Sequence, residues 1–207
     1  MTRLVIADDH PLIRAGFRQL ATRDATITVV GEAADGATLL KVLKATPADV
    51  VALDISMPGP GFVELIRQIR TDFPDVGVLV VSVYPEAEFA IPALQAGAAG
   101  YVTKAHAEAE LVAAVKKVSG GGRFVTPSLA ELLAVAAERG FADTRQLSPR
   151  EREVLDLLGA GKTYKEIGTI LGMSPKTVGT YRNRILGKLE LKTTADLIRY
   201  VERRQQP

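Results

Sequence analysis

Two adjacent carboxylates, Asp8 and Asp9, directly follow a short apolar run near the start of the chain, and a third, Asp54, closes another. Ser82 and Lys104 stand at the ends of two further runs. Three carboxylates brought together repel one another and raise one another's pKa unless a cation neutralises them. Mg²⁺ suits that task, because it takes one or two carboxylates and keeps its other positions for waters and a phosphoryl group. Asp54 could then act as a nucleophile that forms an acyl phosphate, with the metal and Lys104 offsetting charge on the transferred group. Taken singly, each residue has a plainer role: Asp8 and Asp9 suit a turn or helix cap, Asp54 a strand end, and Lys104 the surface. Their joint order is what argues for a site.

These residues meet only if the runs carrying them lie side by side. Strand-like runs occur at 4–7, 28–33, 50–54, 78–83 and 100–103, and helical periodicity fills 11–21, 37–45, 62–71, 86–96 and 108–119. Strands that read as continuous apolar stretches, alternating with helices, indicate βαβ units covered on both faces. The expected fold of residues 1–120 is an α/β doubly wound five-stranded parallel sheet, which gathers ligand chemistry at the carboxyl ends of its strands. Asp8, Asp9, Asp54, Ser82 and Lys104 all fall there.

Composition narrows the alternatives. The chain has 207 residues, enough for two small domains, and 47% are hydrophobic, enough for real cores. It has no Cys and two His, which excludes disulfides, thiolate metal sites and cysteine nucleophiles and makes an all-nitrogen metal site improbable. Charged residues appear before any signal-peptide core could form, and the most apolar window, 76–83, is far short of the roughly 20 residues of a membrane span. A cytoplasmic protein with no membrane partner is expected. Residues 1–147 carry 14 Lys and Arg against 17 Asp and Glu, a net of −3, whereas 148–207 carry 12 against 7, a net of +5. The basic part points to an anionic partner.

That basic part opens with helix-start signals. Ser148-Pro149-Arg150-Glu151 and Thr163 with Glu166 read as capping boxes, Ser174-Pro175 opens a further helix, and Thr193 with Asp196 is a variant. Four helices are expected at 149–159, 164–171, 175–189 and 194–204. The turn Gly172-Met173-Ser174 joins the second to a basic third, a helix-turn-helix arrangement in an all-α four-helix domain over 148–207. Val178, Ile185, Leu186 and Leu189 mark the buried stripe of the third helix, leaving Lys176, Thr177, Thr180, Arg182, Asn183 and Arg184 for solvent or a ligand. Residues 121–147 read as a linker containing one helix, at 128–139, followed by the polar stretch 140–146.

The array Ala7-Asp8-Asp9-His10, Leu53-Asp54-Ile55-Ser56-Met57-Pro58-Gly59, Val81-Ser82, Gly100-Tyr101 and Lys104 resembles the receiver domain of two-component response regulators over 1 to about 120. The resemblance implies Asp54 as phospho-acceptor and Mg²⁺ held by Asp9, Asp54 and the Ser56 backbone carbonyl, with Asp8 assisting through water. It implies that Ser82 and Lys104 contact the phosphoryl oxygens and that Tyr101 changes rotamer as the switch. Three departures stand out: Gly61 precedes Phe62 and Val63 where relatives place a glycine four residues after the Pro; Ala105 follows Lys104 where many have Pro; and Pro92 lies inside the fourth helix.

Residues 148–204 resemble the LuxR-type DNA-binding domain, which makes the whole chain similar to NarL/FixJ-class response regulators. The resemblance places Lys176, Thr177, Thr180, Arg182 and Arg184 on phosphates, with Lys188 added to the basic face, and Gly179 and Asn183 opposite base edges. Gly179 departs from relatives that carry a long polar side chain there. Ala195, Leu197, Ile198 and Val201 of the last helix would form a dimer contact on DNA, or equally close the four-helix core. The reading is a DNA-binding transcription regulator, not a turnover enzyme. Its expected partners are a sensor histidine kinase, a double-stranded DNA operator bound as a homodimer, and RNA polymerase. The alternatives are a regulator whose receiver is an unphosphorylated interaction module, and an aspartyl-phosphate hydrolase. Against the latter, Ser56 stands where such an enzyme has its second Asp.

Overall fold

The computed structural model describes residues 1–58, 61–138 and 147–205. They divide into two compact units, one ending at Glu138 and one C-terminal to it.

In the first unit, β1 (Thr2–Ala7), β2 (Ile27–Ala33), β3 (Val50–Leu53), β4 (Gly77–Ser82) and β5 (Gly100–Thr103) form one sheet. Its order is β2-β1-β3-β4-β5 and every pairing is parallel. Helices α1 (Pro11–Ala21), α2 (Gly36–Ala45), α3 (Phe62–Asp72), α4 (Glu86–Ala96) and α5 (Ala107–Ser119) connect them. The expected doubly wound sheet is therefore present, with strand and helix ends within two residues of those read from the sequence. Leu4 and Ile6 of β1, Ala52 of β3, Leu79 and Val81 of β4 and Val102 of β5 are buried in one cluster with Leu111, Ala114 and Val115 of α5. Each fully buried aliphatic side chain contributes about 1.5–3 kcal/mol.

Pro92 does not end α4, which runs through it to Gly97, whose φ of 111° closes the helix in the left-handed region. The helix is held from below by Phe89, fully buried and stacked on Tyr84 with ring centroids 4.6 Å apart. The Lys104–Ala105 bond is trans, since the described chain has no cis bond.

The expected linker divides. Its helix α6 (Pro127–Glu138) belongs to the first unit. Thr126 Oγ1 and Ser128 Oγ donate to Glu86 Oε2 at the start of α4, at 2.9 and 2.6 Å, and Leu129 is fully buried. Residue 139 and the polar stretch 140–146 lie outside the described residues.

The second unit contains α7 (Pro149–Gly159), α8 (Tyr164–Leu171), α9 (Pro175–Lys188) and α10 (Thr194–Gln205). Both capping boxes form, Ser148 Oγ accepting from the Glu151 amide and Thr163 Oγ1 from the Glu166 amide. Caps of this kind contribute about 1 kcal/mol each. The turn between α8 and α9 needs two glycines. Gly172 adopts a φ of 65°, and a Cβ on Gly168 would lie 2.5 Å from the Met173 carbonyl oxygen.

Candidate functional site

Strand register builds the first site. Ala7 pairs with Leu53, so Asp8 and Asp54 leave β1 and β3 side by side, and the Asp54 amide donates to the Ala7 carbonyl at 2.8 Å. Ser82 pairs with Thr103, and the Lys104 amide donates to the Ser82 carbonyl at 2.7 Å. Two acidic strand ends thus face one basic strand end across the carboxyl edge of the sheet.

Lys104 Nζ lies 2.5 Å from Asp8 Oδ2 and 2.8 Å from Asp54 Oδ2. Burial opposes the charge of this ammonium, but Asp54 and Asp8 together outweigh it and hold the lysine pKa above its ordinary value. Ser56 donates twice to Asp54, from its amide to Oδ1 at 3.1 Å and from its hydroxyl to Oδ2 at 2.7 Å. Ligand atoms of Asp8, Asp9, His10 and Asp54 all lie within 4.8 Å of one another. Carboxylate oxygens dominate this donor set, which fits a hard cation such as Mg²⁺. The site also includes His10, whose Nδ1 lies 2.8 Å from Asp9 Oδ1.

Behind the pocket, Ser82 and Tyr101 are fully buried. The Tyr101 hydroxyl donates to the Tyr84 carbonyl at 2.9 Å, and Ser82 Oγ accepts from the Tyr84 amide at 3.2 Å. One short segment, the start of the β4–α4 loop, therefore contacts both residues.

The second site is the outer face of α9. Ser174 caps it, accepting from the Thr177 amide at 3.0 Å. Lys176 and Asn183 are exposed, and Thr177, Gly179, Thr180 and Arg182 are half-buried. Val178, Tyr181, Ile185 and Leu186 face the interior.

The receiver domain family of response regulators matches residues 4–116, and the luxR family of bacterial regulatory proteins matches 145–201. The chain belongs to the response regulator family. It is 36% identical over 200 residues to the response regulator UvrY of Escherichia coli O6:H1, covering 95% of this chain and 92% of UvrY. RcsB from Salmonella enterica serovar Typhimurium, bound to promoter P1flhDC with the phosphomimetic BeF3−, superposes with a TM-score of 0.62 at 30% identity. That match covers 97% of both chains. A structure of two RcsB dimers on two parallel DNAs gives 0.61 at 29% identity, covering 97% of this chain and 98% of RcsB. The arrangement of receiver and LuxR-type domain is that of the NarL/FixJ class.

In this response regulator the structure brings Asp8, Asp9, Asp54 and Lys104 together, and it corrects the basic helix face. Arg184 does not meet solvent: its side chain is 6% exposed and Nε lies 3.2 Å from Oε1 of the fully buried Glu151. Lys188 turns the same way, with Nζ 2.6 Å from Glu151 Oε2. A buried carboxylate must be paired, and these two cations are the partners that α9 offers it. Burial opposes the Glu151 charge, yet Arg184, Lys188 and the Ser148 amide hold its pKa below the ordinary glutamate value. Leu197 and Val201 likewise pack inward. Leu197 is fully buried, and Val201 lies where a Cβ on Gly159 would collide with it, at 2.5 Å. Of the expected dimer residues, Ala195 is exposed and Ile198 half-buried.

Sequence reasoning missed the Glu151 cluster, the Glu86 clasp on α6 and the place of His10 in the acidic pocket. The capping box singled out Glu151, but nothing local marked it as buried.

Proposed function

We propose that the chain is a transcription regulator switched by phosphoryl transfer from a sensor histidine kinase to Asp54. The observation that carries this is the buried Asp54 carboxylate, set beside Lys104 and within reach of Asp8 and Asp9. An Asp54 carboxylate oxygen attacks the phosphorus of a phosphohistidine; the P–N bond breaks as the P–O bond forms, and an acyl phosphate results. Asp9, Asp54 and the Ser56 carbonyl would hold Mg²⁺, with Asp8 assisting through water, and the ion would supply charge neutralisation for the transferred group. Lys104 moves its ion pair from the free carboxylate to a phosphoryl oxygen. Ser82 follows the phosphoryl group, and Tyr101, released from Tyr84, changes rotamer.

The output is dimeric binding to a two-half-site operator, supported by the DNA-bound RcsB dimers that the chain resembles. Lys176, Thr177, Thr180 and Arg182 would contact phosphates, Gly179 and Asn183 would face base edges, and Ala195 with Ile198 would contribute a dimer face. RNA polymerase is the further partner.

Intact mass after incubation with acetyl phosphate tests the first step. A gain of one phosphoryl group that requires Mg²⁺ and disappears in Asp54→Ala is the expected result. A gain that persists in Asp54→Ala removes Asp54 as the acceptor.

A further inference from the structure

The outer stripe of α9 runs through exposed Lys176 and Asn183 and half-buried Gly179 and Thr180, at the i, i+3, i+4 and i+7 spacing of one helix face. Its centre has no side chain. A Cβ placed on Gly179 would lie 3.7 Å from Cε2 of Tyr164, the first residue of α8, its nearest neighbour beyond the adjoining residues and backbone of α9 itself. A methyl-sized side chain at position 179 would therefore meet the Tyr164 ring in ordinary van der Waals contact, so the ring lies beside the side-chain-less position. It is also one of the few large apolar side chains left exposed, at 37%. An aromatic partly open to solvent beside a gap in the outer face of α9 is placed to touch whatever that face binds.

We propose that Tyr164 is a specificity-determining residue of the DNA interface, supplying from α8 the readout that Gly179 cannot supply from α9. The inference rests on the reading that α9 lies in the major groove. Tyrosine has the chemistry for the task. Its ring edge suits a thymine methyl, and its hydroxyl both donates to and accepts from base edges. The first helix of a helix-turn-helix ordinarily meets the DNA backbone. A place beside the centre of the α9 stripe sets this ring toward the bases and away from the flank. The ring also limits what position 179 can hold: a Cβ alone fits, but a long side chain there must share its space with Tyr164.

The test uses the full chain. Binding sites are selected from a random duplex library with the wild type, Tyr164→Ala and Tyr164→Gln, and affinities are then measured on the selected duplexes and on single-base variants of them. Tyr164→Ala is expected to lose about tenfold discrimination at one base pair in each half-site while binding random DNA as the wild type does. Tyr164→Gln is expected to prefer a different base there, a gain that impaired folding would not produce. Gly179→Asn is expected to weaken binding more in the wild type than in Tyr164→Ala. The proposal is overturned by unchanged preference at every position in both Tyr164 variants, or by an equal loss on all sequences, the mark of a phosphate contact. Lys176→Ala and Asn183→Ala separate the two levels. If these variants alter binding and the Tyr164 variants do not, only the inference fails; if neither set does, the groove assignment of α9 fails with it.

Discussion

Nζ of Lys104 lies 2.8 Å from Oδ2 of Asp54, across a site where both side chains are almost wholly removed from solvent. Asp54 is thereby charge-balanced before any phosphoryl group arrives. The same lysine contacts Asp8 at 2.5 Å, so one cation serves two buried carboxylates.

Replacing Lys104 by Met leaves that carboxylate pair uncompensated. We expect Lys104→Met to lower receiver stability by about 3 kcal/mol in the presence of a chelator, the scale for breaking a buried ion pair. Mg²⁺ should restore more stability to this variant than to the wild type, because it would then replace the charge compensation that Lys104 gives both carboxylates. Chemical denaturation with and without Mg²⁺ reads both effects, and equal Mg²⁺ stabilisation of the two proteins would refute the account.

Glu151 sets a pH dependence for the helix-turn-helix unit. Its folded pKa lies below the ordinary glutamate value, so its contribution is fully present above that value and is lost as pH falls through the depressed folded pKa. Thermal unfolding between about pH 6 and 3 should show a decline that Glu151→Gln flattens. At pH 7, Glu151→Ala should cost about 3–5 kcal/mol, because Arg184 and Lys188 lose their buried partner.

Arg184 and Lys176 should behave oppositely on DNA. Lys176→Met should weaken binding to all sequences and reduce the slope of log affinity against log salt by roughly 0.9, the signature of one lost phosphate contact. Arg184→Met should lower the melting temperature of the C-terminal unit and leave that slope unchanged. A slope change in Arg184→Met would return this residue to the DNA interface.

Glu86 clasps α6 to α4 through Thr126 and Ser128. Glu86→Ala removes the acceptor for both hydroxyls at about 1 kcal/mol per hydrogen bond. Hydrogen exchange should then show α6 amides losing protection while β1 and β3 keep theirs. Equal loss in α6 and the sheet would mean that α6 does not open as a separate unit.

Much of this molecule is written in short-range signals. Apolar runs ending in Asp8, Asp54, Ser82 and Lys104 define the strands and the chemistry they carry, since parallel strands place successive carboxyl ends on one edge whatever their order in the sheet. Ser148, Thr163 and Ser174 mark helix starts, because a cap acts on amides two or three residues away. Which cations serve as ligand contacts and which as internal counterions was not legible. Lys176 and Arg184 are both basic residues of one helix, eight positions apart, and periodicity alone did not separate them. Only the packing of α9 against α7 does, because it buries Glu151, 33 residues before Arg184, and a buried carboxylate draws the nearest cations inward. Leu197 and Val201 joined the core as the helices packed, and the Tyr164 ring came to lie beside Gly179. Burial depends on which surfaces meet, and that is decided only when the helices pack.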